Sequence, residues 1–108
     1  MELKIMLKES DPPVRSQLIA WAEFVELSGC PAETVSDLLE MGWISPAQSA
    51  HEADLYSQSD LYRLRKLHRI CADLEVPVLG GTIIVDLLTK VGELERKVQE
   101  LQAIIEGR

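Results

Sequence analysis

Seven apolar residues, Ile84, Leu87, Val91, Leu94, Val98, Leu101 and Ile105, recur at alternating steps of three and four, and no proline interrupts the chain from Thr82 onward. That spacing is the a/d seam of a coiled coil over about three heptads. The a positions, Ile84, Val91, Val98 and Ile105, are all β-branched, and the d positions, Leu87, Leu94 and Leu101, are all leucine. This combination favours two strands. A helix from Thr82 to Glu106 would be about 37 Å long at roughly 1.5 Å per residue, too long to be buried by so small a head. The seam therefore predicts a homodimer and divides the chain into a globular head, 1–79, and a C-terminal dimerisation helix, 80–108. Lys90 at g and Glu95 at e would attract across a parallel pair.

At 108 residues the chain has room for one modest core. In the head, Leu3, Ile5 and Leu7 alternate with Glu2, Lys4 and Lys8, the pattern of a short strand that Asp11-Pro12-Pro13 ends. Trp21, Phe24, Val25 and Leu27 fall at helical spacing, so Trp21 begins the core face of a first helix, which Ser28-Gly29-Cys30-Pro31 stops. A second helix runs from about Ala32 to Met41, burying Val35, Leu38 and Leu39, with Gly42 placed as its left-handed cap. Trp43 to Pro46 leaves it extended, and Ala47 to Asp54 reads as a wing loop returning through Leu55-Tyr56. Ser57 and Asp60 resemble a capping box, with Asp in place of the usual Glu, and open a third helix. Leu61, Leu64, Leu67, His68, Cys71 and Leu74 mark one side of it. Pro77 ends it, and Gly80-Gly81 is expected to form a hinged corner before the last helix.

The charge is unevenly distributed. From Ser16 to Tyr62 there is no lysine or arginine but there are eight acidic residues. Residues 1–62 carry three basic and eleven acidic groups, and 63–108 carry eight and seven, so the formal charge of −7 belongs to the head. A field of that sign suits a basic partner and disfavours nucleic acid and anionic membrane surfaces. No run approaches 18 apolar residues and the N-terminus lacks the pattern of a signal peptide, so a cytoplasmic location without membrane attachment is expected. Cys30 and Cys71 lack CxxC spacing and read as small buried hydrophobes.

FVELSGCPAETVSDLLEMGWISP resembles the helix-turn-helix of MerR-like proteins, and LYSQSDLYRLRKLHRICADLEV resembles their following helix. The resemblance spans about Leu18 to Ile105 and implies a mainly α fold: a winged helix-turn-helix head followed by a long C-terminal dimerisation helix. Within that superfamily the chain looks most like the small CbpM-type chaperone modulators. Those are described as non-enzymatic proteins that bind the J domain of a DnaJ-like (CbpA-type) co-chaperone and restrain it. The alternative the superfamily offers is a DNA-binding transcriptional regulator. MerR regulators usually carry an Arg and a Tyr early in the second helix; aligned on the following glycine, this chain has Ser36 and Asp37. The resemblance implies an antiparallel dimer, which we favour over the parallel one.

Glu33, Asp37 and Glu40 fall at i, i+4 and i+7, an acidic stripe on one face of the second helix with Ser36 beside it. Its natural complement is a cationic helix, which the resemblance identifies with the second helix of a J domain. Trp43 is read either as the apolar anchor beside the stripe or as a core tryptophan beneath the wing. Arg63, Arg65, Lys66 and Arg69 make the one basic cluster, which either solvates the third helix or supplies DNA contacts in the alternative reading. His51 and His68 have no neighbours at metal-ligand spacing, and neither a GxGxxG nor a P-loop occurs. No catalytic residues, metal or cofactor are therefore expected.

Overall fold

The computed structural model describes residues 18–49 and 54–107. The expected N-terminal strand and His51 lie outside the described residues. A short strand β1 (Ile19–Ala20) leads into α1 (Trp21–Ser28) and α2 (Ala32–Glu40). The strands β2 (Gln48–Ser49) and β3 (Asp54–Tyr56) follow, then α3 (Gln58–Leu74) and α4 (Val78–Glu106). The wing is the antiparallel pair β2 and β3, with Gln48 opposite Leu55, and β1 extends it on the other side, with Ile19 opposite Tyr56. The sheet order is thus β1-β3-β2.

Turn chemistry fixes the helix boundaries. Gly29 ends α1 at φ 78°. After α2, Gly42 adopts φ 80°, its N–H donates to the Leu39 carbonyl at 3.1 Å and the Trp43 N–H donates to the Leu38 carbonyl at 3.0 Å. These are the paired bonds of a Schellman motif, so Gly42 is the left-handed cap its position implied. Ser57 caps α3, its Oγ accepting from the Asp60 N–H at 3.0 Å. The reciprocal half of a capping box is replaced: the Asp60 carboxylate accepts from the Ser45 N–H at 3.2 Å.

Phe24, Val35, Leu38, Ile44, Leu64, Leu67, Ile70 and Val85 are fully buried, with Leu39 and Trp21 half-buried at the edge. Phe24 stacks on Tyr56 with centroids 4.6 Å apart, and Trp21 lies 5.4 Å from Tyr56, fastening α1 to the wing. The buried side of α3 differs from the sequence expectation. His68 and Leu74 are exposed, whereas Lys66 and Ile70 turn inward, because α1 and α4 both pack on α3 and its buried arc is wider than one apolar stripe. Leu27, expected on the inner face of α1, is also exposed, and Ser28 is buried in its place, its hydroxyl donating to the Val25 carbonyl at 2.7 Å. Cys30 is buried and Cys71 half-buried; both are free, and burial pushes both thiols up from their ordinary range.

The Gly80-Gly81 corner is corrected by the structure. The turn between α3 and α4 lies earlier, at Glu75 to Pro77, with Glu75 left-handed at φ 53°, and both glycines fall in the first turn of α4. A Cβ on Gly81 would lie 2.6 Å from Cys71 Sγ and 2.7 Å from Leu67 Cδ1. Gly81 is therefore a contact residue that lets α4 approach α3 closely. Ile84, the first seam position, is half-buried against the head. The exposed stripe of α4 instead runs through Leu79, Ile83, Leu87, Val91, Leu94, Val98, Leu101 and Ile105.

The two glycines should respond differently. Gly42→Ala meets nothing within 4 Å, so it should cost only the left-handed backbone penalty, about 1 kcal/mol. Gly81→Ala must displace Cys71 and Leu67 and should cost about 1–3 kcal/mol by overpacking. Thermal denaturation of both variants measures the difference.

Candidate functional site

α2 is built with one face for the core and one for solvent. Val35 and Leu38 are fully buried, while Glu33, Ser36, Asp37 and Glu40 are all exposed. The expected acidic stripe therefore faces outward. Only Glu33, in the first turn, is favoured by the helix dipole; Asp37 and Glu40 lie toward the C-terminal end, where no basic residue balances them. Glu33 and Asp37 are also like charges at i, i+4, a pairing that is mildly destabilising. The helix carries this face against its own electrostatics.

Trp43 fits neither sequence reading in full. It is half-buried, and its ring is clamped where the chain leaves α2. The Arg63 guanidinium lies 4.0 Å over the ring and donates through Nη1 to the Trp43 carbonyl at 2.6 Å. The indole Nε1 donates to Asp86 Oδ1 at 3.2 Å, and Arg63 Nη2 pairs with the same carboxylate oxygen at 3.2 Å. Arg63 also lies 3.6 Å from Asp60, which in turn accepts from the Ser45 backbone. One arginine thus ties the exit of α2, the start of α3 and the third turn of α4 together. Asp86 was missed in the sequence reading because it sits outside the a/d seam, and nothing in its neighbourhood marks it as the partner of a residue 43 positions away.

The basic cluster is divided by the fold. Arg63 belongs to the clamp and Lys66 is buried, with its ammonium 5.4 Å from the Tyr62 ring centroid, while Arg65 and Arg69 are exposed on the outer side of α3. Arg63 and Lys66 instead face α4, where they line a cleft of about 470 Å³ with Lys90 and Arg96. His68 is exposed and its ring lies over the α1–α2 turn, since a Cβ on Gly29 would come within 3.3 Å of it. Among the described residues no group of three His, Cys, Asp or Glu side chains could hold a metal ion, and no helix is long and apolar enough to cross a membrane.

Two core helices joined by a tight turn, a small hairpin wing, a further packed helix and a long projecting one define a winged helix-turn-helix protein. Residues 19–103 match the MerR HTH family regulatory protein family, and the chain belongs to that family. It is also similar to a Streptomyces coelicolor protein named as the heat shock protein HspR, with 29% identity over 82 residues. That similarity covers 76% of this chain and 54% of the relative, so the chain spans about half of the relative's length.

Removing the clamp should be visible at Trp43. In a Trp21→Phe background, Arg63→Ala should shift the tryptophan emission to the red and lower stability by about 1–3 kcal/mol, through loss of the charged hydrogen bond and the cation–π contact. Arg63→Lys should fail to restore either, because one ammonium cannot span the carbonyl, the ring and both carboxylates.

Proposed function

We propose that the chain is a non-enzymatic cytoplasmic modulator whose α2 face receives the cationic second helix of the J domain of a DnaJ-like (CbpA-type) co-chaperone and restrains that co-chaperone's activity. The observation that carries this reading is the outward face of α2. In the frame where a DNA reader presents its recognition helix, this chain exposes Glu33, Ser36, Asp37 and Glu40, and residues 18–49 contain no lysine or arginine. Phosphate neutralisation supplies essentially all non-specific DNA affinity, and a carboxylate face opposes it. Opposed charges on a cationic helix would instead raise the encounter rate and fix the register. Trp43, at the edge of this face, contributes the part of its ring that remains exposed.

A second reading, a DNA-binding transcriptional regulator, is favoured by other observations. The family is described as regulatory and helix-turn-helix, and the similar Streptomyces coelicolor protein is a heat shock protein by name. These comparisons bear more directly on the DNA reading than on the first, since neither names a co-chaperone. Arg65 and Arg69 are the exposed cations of α3 from which that reading would draw its phosphate contacts.

Titrating the labelled protein with a purified J domain and, separately, with mixed-sequence duplex DNA at physiological salt distinguishes the two. We expect saturable J-domain binding. Duplex binding without J-domain binding would make the protein a DNA regulator. The charge reversals Asp37→Lys and Glu40→Lys should each weaken J-domain binding about tenfold or more and flatten its salt dependence. Glu40→Lys should at the same time raise stability by about 0.3–1 kcal/mol, since a cation suits the C-terminal end of α2. Unchanged affinity in both variants would return the stripe to ordinary solvated surface.

The exposed stripe of α4 supports assembly as a homodimer, in antiparallel orientation by the MerR likeness. Leu87, Val91, Leu94, Val98, Leu101 and Ile105 are each more than 40% exposed, an apolar strip that a single chain leaves in water. Replacing both Leu94 and Leu101 with Asp should give a monomer by light scattering with a folded head, whose core uses neither residue. A double variant that stays dimeric would place the association in the head.

A further inference from the structure

At either end of α4 the exposed apolar surface spreads off the a/d seam, and it does so on the same flank. Near the head it takes in Ile83 and at the far end Ile104; both are g positions, one residue before an a position, and they are 54% and 60% exposed. The opposite flank, e, holds Leu88, which packs against its own head, then Glu95 and Gln102. A pair of helices joined by a and d alone would leave both isoleucines in water. Beside Ile83 the seam is notched. Gly80 stands at a d position, and a Cβ there would meet only Val76 Cβ at 3.9 Å and Pro77 Cδ at 4.0 Å, which are ordinary contact distances. The space that a d side chain would fill is therefore open, with Val76 and Pro77 as its wall. At the other end of the helix Ile105, an a position, is 68% exposed.

We propose that the Gly80 notch receives Ile105 of a second copy of this chain, in an antiparallel register that also sets Ile83 against the partner's Ile104. The proposal rests on the homodimer reading above and fixes where its two long helices meet. Antiparallel chains face g to g, whereas parallel chains face g to e, so only the antiparallel pair brings the two apolar flanks together. Between its ends the same register stacks Ile84 on the partner's Leu101, Leu87 on the partner's Val98 and Val91 on the partner's Leu94. Every a and d residue from 84 to 101 then faces another. Parallel pairing would draw on Lys90 and Glu95, but Lys90 lies 3.7 Å from Glu93 of its own chain and lines the cleft toward α3, so its charge is already answered. The antiparallel register does bring Lys90 near the partner's Lys97. Both are exposed, and the screened repulsion of such a pair costs less than burying Ile83 and Ile104 gains.

Cross-linking the full chain with a short bismaleimide tests the register. The wild-type protein supplies the blank, since Cys30 is buried and Cys71 half-buried. Ile83→Cys and Ile104→Cys chains, mixed and equilibrated, should give a covalent dimer, and either variant alone should give at least about tenfold less. Efficient cross-linking of either variant alone would show parallel chains. Cross-linking of Ile104→Cys with Lys90→Cys would show antiparallel chains displaced by one heptad, roughly 10 Å along the axis. Either result overturns the proposal, as does a dimer by light scattering that cross-links in none of these mixtures. A second variant lies far from the head and leaves its folding untouched: Ile104→Ala should raise the dimer dissociation constant about tenfold or more, and an unchanged constant would overturn the proposal too. A wild-type chain that is monomeric by light scattering would instead remove the homodimer reading itself, and the register with it.

Discussion

The close approach of α4 to α3 organises this molecule. With no side chain at Gly81, the first turn of α4 comes close enough to α3 for Thr82 and Val85 to be buried, and Val85 joins Leu64, Leu67 and Ile70 in the core. The long helix is thus rooted in the head. The same approach brings Asp86 within reach of Trp43 and Arg63, and places Lys90 and Arg96 opposite Lys66. A larger residue at position 81 would push the helices apart, and the clamp and the cleft would open together.

Fold and surface carry different information in this chain. The Schellman turn after α2, the Ser57 cap, the wing pairing and the α3–α4 packing specify a helix-turn-helix head independently of what that head touches. Family membership follows from that frame, and function has to be argued from the face the frame presents. On α2 the core-facing residues, Val35 and Leu38, meet every demand of the scaffold, while the outward residues are free of packing constraints. Asp37 and Glu40 there work against the helix dipole, and the three carboxylates repel one another, at a cost of a few tenths of a kcal/mol apiece. A cationic partner would turn that cost into binding energy; a phosphate backbone would add to it.

The sequence made legible what local rules govern. Helix periodicity, the left-handed Gly42, the Ser57 cap and the wing all follow from a few neighbouring residues, and each is found where its signal lies. What escaped depends on residues far apart. Gly80-Gly81 carries the same signature whether it breaks a helix or allows close packing, and only the presence of Cys71 and Leu67 against Gly81 separates the two. Ile83 and Ile84 are adjacent isoleucines, and the heptad pattern alone does not show that Ile84 also packs against the head while Ile83 is exposed. His68 and Lys66 exchanged sides because two helices share α3, and a sequence stripe assumes one. Of the candidate site, the outward direction of Glu33, Asp37 and Glu40 was readable from spacing. The division of the arginines between a clamp, a cleft and the open surface was not, since it depends on α4 arriving beside α3.

The clamp gives the exposed α4 stripe a consequence beyond assembly. Trp43 stands directly after α2, and its indole is bonded to a carboxylate on α4, so the direction of α2 is tied to the axis of the long helix by one hydrogen bond and one shared arginine. If two chains pair along α4, the two acidic faces acquire a defined spacing and orientation rather than swinging independently. A partner that is itself a dimer could then engage both faces at once, with the second contact gaining from the high effective concentration set by the first. A partner with one cationic helix gains nothing from that geometry. Beyond holding Trp43 at the edge of the α2 face, the clamp adds to affinity only when the partner is bivalent, which makes the stoichiometry of the complex, more than its affinity, the property that reveals what α4 is for.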